Sequence, residues 1–533
     1  MKKGYIAFVL HAHLPYVRHP EHDDFLEERW FFEAISETYI PLITAFERLL
    51  NDSADFRVTI SFSPPLLSML SDPLLQNRYI KYLEKLIELS EKEIVRTRNE
   101  PEFNRLAIMY NKKYKNDLYM FRDRFNKDLI SSFKALYETG KFEYITSAAT
   151  HGFLPLLAVN PESINAQVSV GIKTFERFFG FKPKGMWLPE CGYTPSIEPV
   201  LKKNRIDYFF VESHGILFAE PRPVYGTFAP IITPNEIIVF GRDMESSKQV
   251  WSIKEGYPGD GDYREFYRDI GYDLDYDYIR DYISPDGQRT DTGIKYYRIT
   301  GNTDHKQPYI PERAENKANI HAHDFIYNRQ QQIEYLADKM DKSPVITCPY
   351  DAELFGHWWY EGPLWIYFLF KKIYFEQNIV SLITPSEYIN ENPIMQLSSP
   401  CASSWGFRGY NEVWLNNTND WIYRHLHKAA ERMVELANEN KHTEGIKREA
   451  LNQAARELLL AQSSDWAFIM KTGTMVRYAE KRIKDHIGRF SKLYHDIKEG
   501  IIDEEWLRDI RDKDNIFPDI DYRVFSSDTM VES

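Results

Sequence analysis

The sequence predicts an α/β protein that begins with a parallel sheet and ends in an all-helical region. Three observations lead to this fold class: short apolar runs alternate with helical patterns up to residue 348, polar residues gather directly after the apolar runs, and strand-like runs stop near residue 400. Such alternation is typical of parallel sheets covered by helices. In a barrel of this kind the active site forms where the carboxyl ends of the strands meet.

The first part of the chain contains the alternating elements in order. Short apolar runs bounded by polar clusters predict buried strands, and apolar residues spaced three and four apart predict helices. The predicted strands are 5–10, 58–63, 142–147, 185–188, 208–211 and 345–348. The predicted helices are 36–50, 75–92, 114–138, 160–179, 195–204 and 318–342. Residues 256–317, rich in Gly, Pro, Asp and Tyr, predict long loops over the barrel mouth.

The pattern changes after the last strand. Helices are predicted at 421–438, 447–470 and 476–498, without a strand of comparable strength. We therefore predict a catalytic α/β domain at 1–398 and a helical C-terminal domain at 399–533.

Composition and charge exclude several classes of function. The net charge is −13, and no Lys/Arg block with interleaved aromatic residues occurs, which disfavours nucleic-acid binding. The aromatic fraction of 15% suits a sugar-binding cleft, in which flat rings cover the apolar faces of pyranoses. Three cysteines without a C-x-x-C pair favour a reducing cytoplasm. No targeting segment or membrane span is predicted, and the oligomeric state is not indicated.

Two carboxyl groups are the leading catalytic candidates. Glu190 follows Trp187-Leu188-Pro189, and Asp351 follows Pro349-Tyr350, so each stands at the end of a predicted strand. Retaining glycosidic cleavage needs two carboxyls about 5 Å apart, one as nucleophile and one as general acid/base. The acid/base must have a raised pKa. Trp358, Trp359 and Tyr360 are expected to supply the apolar wall that raises it.

Histidines stand at two other strand ends. His11 and His13 lie on one face of an extended segment, and His151 follows the third strand. They are compatible with sugar-hydroxyl binding or with metal ligation. A metal-dependent deacetylase or mannosidase built on His11, His13, Asp23 and His151 is therefore one alternative, and a non-catalytic glucan-binding protein is another.

Five segments together resemble glycoside hydrolase family 57, and within it the branching-enzyme group with its amylase-like relatives. They occur in the family's order over the whole chain. The segments are His11-Ala12-His13-Leu14-Pro15, His151-Gly152-Phe153, Trp187-Leu188-Pro189-Glu190-Cys191-Gly192-Tyr193, Tyr350-Asp351-Ala352-Glu353-Leu354-Phe355-Gly356-His357-Trp358 and Ser403-Ser404-Trp405-Gly406.

The resemblance implies a (β/α)7 barrel with a small helical insertion and an all-helical C-terminal domain that closes the cleft. It implies Glu190 as nucleophile and Asp351 as acid/base, with no metal and no cofactor. Substrate contacts carried over from the family's motifs, together with the strand-end histidines, are His11, His13, His151, Arg242, Trp251, Gly259, Trp405, Trp414 and Asp465.

One segment departs from the family's pattern. Branching members carry a long mobile loop with a gating tyrosine before the Gly-Arg-Asp motif, whereas residues 229–240 here offer little more than a turn at Thr233-Pro234-Asn235. A lid excludes water while an intermediate waits for its acceptor. The short connection therefore keeps hydrolysis open.

The resemblance as a whole predicts a 1,4-α-glucan branching enzyme acting on amylose, amylopectin or glycogen, with an α-amylase-type hydrolase as the alternative.

Overall fold

The computed structural model describes residues 2–252, 255–284 and 287–531. Residues 285 and 286 of the predicted loop region and the last two residues of the predicted C-terminal domain lie outside the described residues. Among the described residues, no helix combines the length and apolar composition that a membrane crossing requires.

Ten strands form one mostly parallel sheet. They are β1 (Gly4–Ala12), β2 (Val58–Phe62), β3 (Phe142–Ser147), β4 (Gly185–Trp187), β5 (Tyr208–Val211), β6 (Ile231–Ile232), β7 (Ile238–Gly241), β8 (Val345–Asp351), β9 (Val380–Leu382) and β10 (Gln396–Leu397). The order is β10-β6-β7-β5-β4-β3-β2-β1-β8, and β9 pairs with the first residues of β1. Only the β6–β7 pair is antiparallel.

Seven parallel strands, β1–β5, β7 and β8, curve into a barrel. The amide of Asp243, directly after β7, donates a hydrogen bond of 2.9 Å to the carbonyl of Thr347 in β8, so the two ends of this series meet. The interior is filled by buried side chains from six of these strands, among them Val9, Trp187 and Phe240. The predicted (β/α)7 fold is confirmed.

Helices cover the barrel and make up more than half of the chain after β10. Up to β10 they are α1 (Glu28–Ala34), α2 (Ile40–Asn51), α3 (Pro64–Leu70), α4 (Pro73–Arg96), α5 (Pro101–Leu118), α6 (Leu129–Tyr137), α7 (Leu154–Leu157), α8 (Pro161–Phe179), α9 (Glu198–Lys203), α10 (Ser213–Leu217), α11 (Met244–Trp251), α12 (Ile270–Asp273), α13 (Tyr276–Ile279), α14 (Pro311–Ala337), α15 (Gly362–Phe375) and α16 (Pro385–Glu391). After β10 they are α17 (Trp421–Glu439), α18 (Gly445–Ala461), α19 (Ser464–Thr472), α20 (Val476–Glu499), α21 (Glu504–Lys513) and α22 (Asp528–Val531).

Two predicted helices are wrong, the first because local contacts interrupt it and the second because contacts with His151 and Gly152 interrupt it. The helix predicted at 114–138 ends after α5 and a π-helical turn, since Asn126 and Lys127 adopt positive φ and Asp128 caps α6 through the amide of Ser131. The helix predicted at 447–470 breaks between α18 and α19. One apolar cluster includes Phe8 of β1 as well as Leu426 and Leu458 of the C-terminal helices. The division into domains at residue 398 stays a prediction.

Candidate active site

A cleft of about 750 Å³ opens at the carboxyl ends of the barrel strands. The parallel sheet brings these ends together, and the β1–β8 register places His11 directly beside Asp351. Ten of the eleven predicted site residues line the cleft: His11, His13, His151, Glu190, Arg242, Trp251, Asp351, Trp405, Trp414 and Asp465. Gly259 ends a short 3-10 turn and is not among the lining residues. Its substrate contact stays a prediction.

Glu190 is held rigidly at the end of β4. Pro189 starts a 3-10 turn in which Glu190 adopts the left-handed conformation, with φ 61° and ψ 22°. A non-glycine residue pays for this backbone conformation with strain, and such residues cluster at functional sites. Trp405 fixes the residue from the other side: its amide donates to the Glu190 carbonyl at 3.1 Å and its indole Nε1 donates to Oε2 at 2.8 Å.

The two sides of the Glu190 carboxylate receive different donors. Ser464 Oγ donates to Oε1 at 3.0 Å, while Trp405 occupies Oε2. Burial raises the pKa of Glu190 above its ordinary value, although these two hydrogen bonds act against the rise. Hydrogen bonds to the charged form favour it, so the pair of donors helps to keep the buried carboxylate of Glu190 ionised.

Asp351 occupies an environment that favours its protonated form. Burial raises its pKa well above the ordinary range, and the charges of Glu353 and Glu190 raise it further, while Arg242 opposes them. The two carboxyls thus differ: Glu190 accepts two hydrogen bonds, whereas Asp351 lies close to other carboxylates whose charges raise its pKa. This difference separates a nucleophile from a general acid.

The aromatic wall predicted next to Asp351 is only partly correct. Trp358 lines the cleft and stacks on Phe266, with ring centroids 4.6 Å apart. Trp359 instead packs in the core against Trp365, and the Tyr360 ring lies under the guanidinium of Arg264 at 3.9 Å. The raised pKa of Asp351 therefore owes more to neighbouring carboxylates than the sequence suggested.

Glu353 lines the cleft, although its place in the motif around Asp351 predicted no role for it. Its Oε1 accepts hydrogen bonds from the Tyr39 hydroxyl at 2.5 Å and the His13 amide at 3.2 Å. Burial raises its pKa to about 7. In an extended chain a carboxyl two residues after a strand-end carboxyl lies on the same face, which was the available signal, although residues Ala352–Leu354 in fact form a 3-10 turn.

We expect Glu353→Gln to lower the pKa of Asp351, because it removes the nearest negative charge that disfavours ionisation. The alkaline limb of kcat/KM, above which Asp351 loses its proton, should then move to lower pH. Glu361→Gln is the matched control, since Glu361 is also buried with a pKa raised by burial to about 7 but does not line the cleft. An alkaline limb that does not move in Glu353→Gln would contradict this account.

The histidines form hydrogen-bonded pairs at the base of the cleft. His13 Nε2 lies 3.1 Å from both carboxylate oxygens of Asp465, and its ring stacks on His151 at 3.8 Å. Burial lowers the pKa of His13, but the charge and hydrogen bond of Asp465 outweigh burial, and the net pKa is raised. His11 Nε2 lies 3.0 Å from His151 Nε2. Burial lowers the pKa of both His11 and His151, so both are neutral.

Donor atoms of His13, His151 and Asp465 lie within 4.8 Å of one another, a spacing that a metal ion would accept. Three of the four ring nitrogens are already engaged, since His13 Nε2 lies 3.1 Å from Asp465 and both ring nitrogens of His151 are hydrogen-bonded, whereas His13 Nδ1 is buried without a hydrogen-bond partner among the described residues. Asp23, a member of the alternative metal set, is exposed and does not line the cleft. This bonding favours the sugar-binding alternative.

Arg242 and three tryptophans shape the walls. Arg242 pairs with Glu212 at 3.0 Å and lies over the Trp405 ring at 5.5 Å. Trp251 packs edge-on to Trp405. Trp414 is buried, and its ring stacks on that of Phe153 with the ring centroids 4.3 Å apart. Planar rings beside carboxylates and a guanidinium form a surface suited to sugar rings.

Comparison with known proteins agrees with this geometry. Residues 7–399 match the family described as Glycosyl hydrolase family 57. The chain belongs to glycosyl hydrolase family 57. Residues 425–525 match the region described as 1,4-alpha-glucan branching enzyme, C-terminal. A family member from Thermococcus kodakarensis, a 1,4-alpha-glucan branching enzyme, is 34% identical over 97% of this chain and 77% of its own.

Two solved structures are similar to this chain over almost its full length. The alpha-amylase AmyC from Thermotoga maritima has 47% identity and a TM-score of 0.92, with 99% of each chain covered. The branching enzyme from Pyrococcus horikoshii has 35% identity and a TM-score of 0.88, covering 98% of this chain and 97% of that one. The family and fold predicted from the five motifs are confirmed.

Proposed function

We propose that this chain is a 1,4-α-glucan branching enzyme that works by retaining double displacement. The observation that carries the proposal is the pair Glu190 and Asp351, whose environments separate a hydrogen-bonded carboxylate from a carboxyl with a strongly raised pKa. Family membership and similarity to branching enzymes support the same activity.

In the first step Glu190 attacks the anomeric carbon of a bound glucan. Asp351 donates its proton to the departing glycosidic oxygen, so the acceptor side of the chain leaves with a new hydroxyl. The product is a covalent glucosyl-Glu190 ester. The backbone strain and the two hydrogen bonds at Glu190 place its oxygen before the substrate arrives, which lowers the reorganisation needed for attack.

In the second step Asp351 is a base. It removes the proton from the 6-hydroxyl of another glucan chain, and that oxygen displaces Glu190 from the anomeric carbon. Configuration is retained because two inversions occur. A 6-hydroxyl acceptor gives an α-1,6 branch, whereas water gives hydrolysis.

The cleft walls are suited to amylose, amylopectin and glycogen. We assign Trp251 and Trp405 to the apolar faces of glucose units, since these rings line the cleft, and Trp414, buried against Phe153, supports the same wall from behind. Arg242, His13 and Asp465 present hydrogen-bonding groups to hydroxyls along the same walls. His151 contributes to this wall through its ring, since its two ring nitrogens bind Ser464 and His11. The cytoplasmic location predicted from the cysteines is part of this proposal; all three cysteines are free thiols.

An α-amylase-type hydrolase is the second candidate, favoured by one specific feature. The connection between β6 and β7 is a tight hairpin, in which the Thr233 amide donates to the Ile237 carbonyl at 2.9 Å. The hairpin turn lies at the amino end of β7, whereas the cleft opens at the carboxyl ends of the parallel strands, so no lid over the cleft is built from this connection. The similar AmyC structure carries the name of an alpha-amylase.

Incubation with amylose separates the two candidates. We expect new α-1,6 anomeric signals in proton NMR to exceed new reducing ends measured in the same reaction, because a transferase creates a branch for each bond that it moves. Reducing ends without α-1,6 signals would contradict branching and leave the hydrolase. Glu190→Gln protein is the blank for both readouts.

A further inference from the structure

A row of hydrogen bonds approaches Glu190 from the barrel interior. Ser61 Oγ on β2 lies 3.1 Å from His11 Nδ1, and His11 Nε2 lies 3.0 Å from His151 Nε2. His151 Nδ1 lies 2.9 Å from Ser464 Oγ, which donates to Glu190 Oε1 at 3.0 Å. The four bonds connect β2, β1, β3 and α19 to the end of β4. We call Ser61, His11, His151 and Ser464 the buried relay.

The protons of the buried relay can be assigned from the nucleophile outward. A carboxylate only accepts, so the single Ser464 hydroxyl hydrogen points to Glu190. Ser464 Oγ must then accept from Nδ1–H of His151, whose Nε2 in turn accepts from Nε2–H of His11. His11 Nδ1 is left as an acceptor for the Ser61 hydroxyl. Every donor therefore points towards Glu190, and both histidines are neutral.

We infer that Ser464 is a positioning residue that couples the nucleophile Glu190 to the buried relay, so that a hydroxyl as remote as Ser61 biases the Glu190 carboxyl towards its ionised form. The inference rests on the proposed nucleophilic role of Glu190. Ser464 belongs to α19, which follows the barrel in the chain, and on this inference it acts directly on the ionisation of the proposed nucleophile Glu190.

Main-chain contacts show why Ser464 can hold this position. Its amide donates to the His151 carbonyl at 2.9 Å, and Gly152 and Ser463 form an isolated antiparallel bridge. His151 itself has a left-handed backbone, with φ 57°. Backbone and side chain of Ser464 thus both bind His151, and Ser464 is only 2% exposed.

The inferred pH effect also depends on the other titratable groups that face Glu190. Asp465 of α19 raises the pKa of Glu190, and His13, which follows β1, lowers it. Asp351, at the end of β8, lies across the cleft. His151, which follows β3, has its Nδ1 atom 3.8 Å from Glu190 Oε1. The buried relay favours the ionised form of Glu190 through hydrogen bonds between neutral groups, which is a different contribution from that of these charges.

The test measures the acid limb of kcat/KM on amylose, below which Glu190 is protonated. In Ser464→Ala we expect kcat to fall roughly 10- to 100-fold with little change in KM, as for loss of one hydrogen bond to a charged group. The acid limb should move to higher pH by about one unit, because the ionised form has lost a donor. Ser464→Thr, which keeps a hydroxyl, should restore the limb.

Ser61→Ala is the decisive second variant, since Ser61 is fully buried and does not line the cleft. We expect a smaller shift of the acid limb in the same direction, and no additional shift when Ser61→Ala is combined with Ser464→Ala. Ser90→Ala is the matched control: Ser90 is equally buried and hydrogen-bonded in α4, but lies outside the relay and cleft. Its profile should match wild type.

Two results would overturn the inference. One is a wild-type acid limb in both Ser464→Ala and Ser61→Ala. The other is a Ser61→Ala shift of equal size with and without Ser464. The proposed function fails differently, through turnover that survives in Glu190→Gln, so the two failures are distinguishable.

Discussion

Replacing Glu190 with glutamine is expected to reduce turnover of amylose on the order of 10⁴-fold or more, the scale seen when a covalent nucleophile is removed. Glutamine keeps the shape of the side chain, and its single amide oxygen can still accept from Trp405 while its NH2 group faces the Ser464 hydroxyl, which can accept. The substitution therefore removes the negative charge and the nucleophilic oxygen while disturbing the fold little. KM for amylose should change far less than kcat.

A second variant tests the chemical role itself. Glu190→Ala leaves space beside the anomeric carbon, and azide is expected to enter it and restore cleavage of a donor with a good leaving group. The product should be a glycosyl azide of inverted configuration, because only one displacement occurs. Glu176→Gln on α8, outside the cleft-lining set, is the control for the substitution. Substantial turnover in Glu190→Gln would remove Glu190 from the mechanism.

Asp351→Asn is expected to reduce turnover of amylose by roughly 10²- to 10⁴-fold, the usual contribution of general acid–base catalysis. The size of the loss should depend on the leaving group. A glucan needs protonation of its departing oxygen, whereas an α-maltosyl fluoride donor does not, so the fluoride should still form the glucosyl-enzyme. Because the second step also lacks its base, that intermediate should accumulate and be visible by intact mass.

The pH profile supplies the matching check. Burial, together with the charges of Glu353 and Glu190, raises the pKa of Asp351, and activity in the wild type should fall as pH rises through that pKa. The alkaline limb should be absent in Asp351→Asn. Asp338→Asn, an exposed position at the end of α14, should retain it. Equal losses on amylose and on the fluoride donor would argue against an acid/base role for Asp351.

The barrel and most of its catalytic edge could be predicted because strand ends are local features. An apolar run followed by a polar residue is visible in the sequence, and parallel pairing brings such positions together without further information. His11 beside Asp351 in the β1–β8 register is a direct result. The resemblance to family 57 supplied Arg242, Trp251, Trp405, Trp414 and Asp465, whose approach to the cleft depends on long-range packing.

The break before α19 could not be predicted, since no glycine or proline interrupts the helical pattern of 447–470. It exists because the chain there gives up helical hydrogen bonds for the His151 carbonyl and for the bridge to Gly152. Partners more than 300 residues away decide this local conformation. For the same reason Ser464, which the break places beside Glu190, carried no signal in the sequence.

The reach of Ser464 and Asp465 into the cleft limits how this chain can be recombined with other proteins. The stretch that matches the hydrolase family ends at residue 399, before either residue. A chimaera that fused residues up to 399 to an unrelated C-terminal region would keep Glu190 and Asp351. It would leave His13 without its partner Asp465 and Glu190 without both of its donors, Trp405 and Ser464. Exchange of tails among relatives should preserve activity only where a serine and an aspartate follow an equivalent helix break. The barrel and the chain after residue 399 are therefore expected to be inherited as one unit.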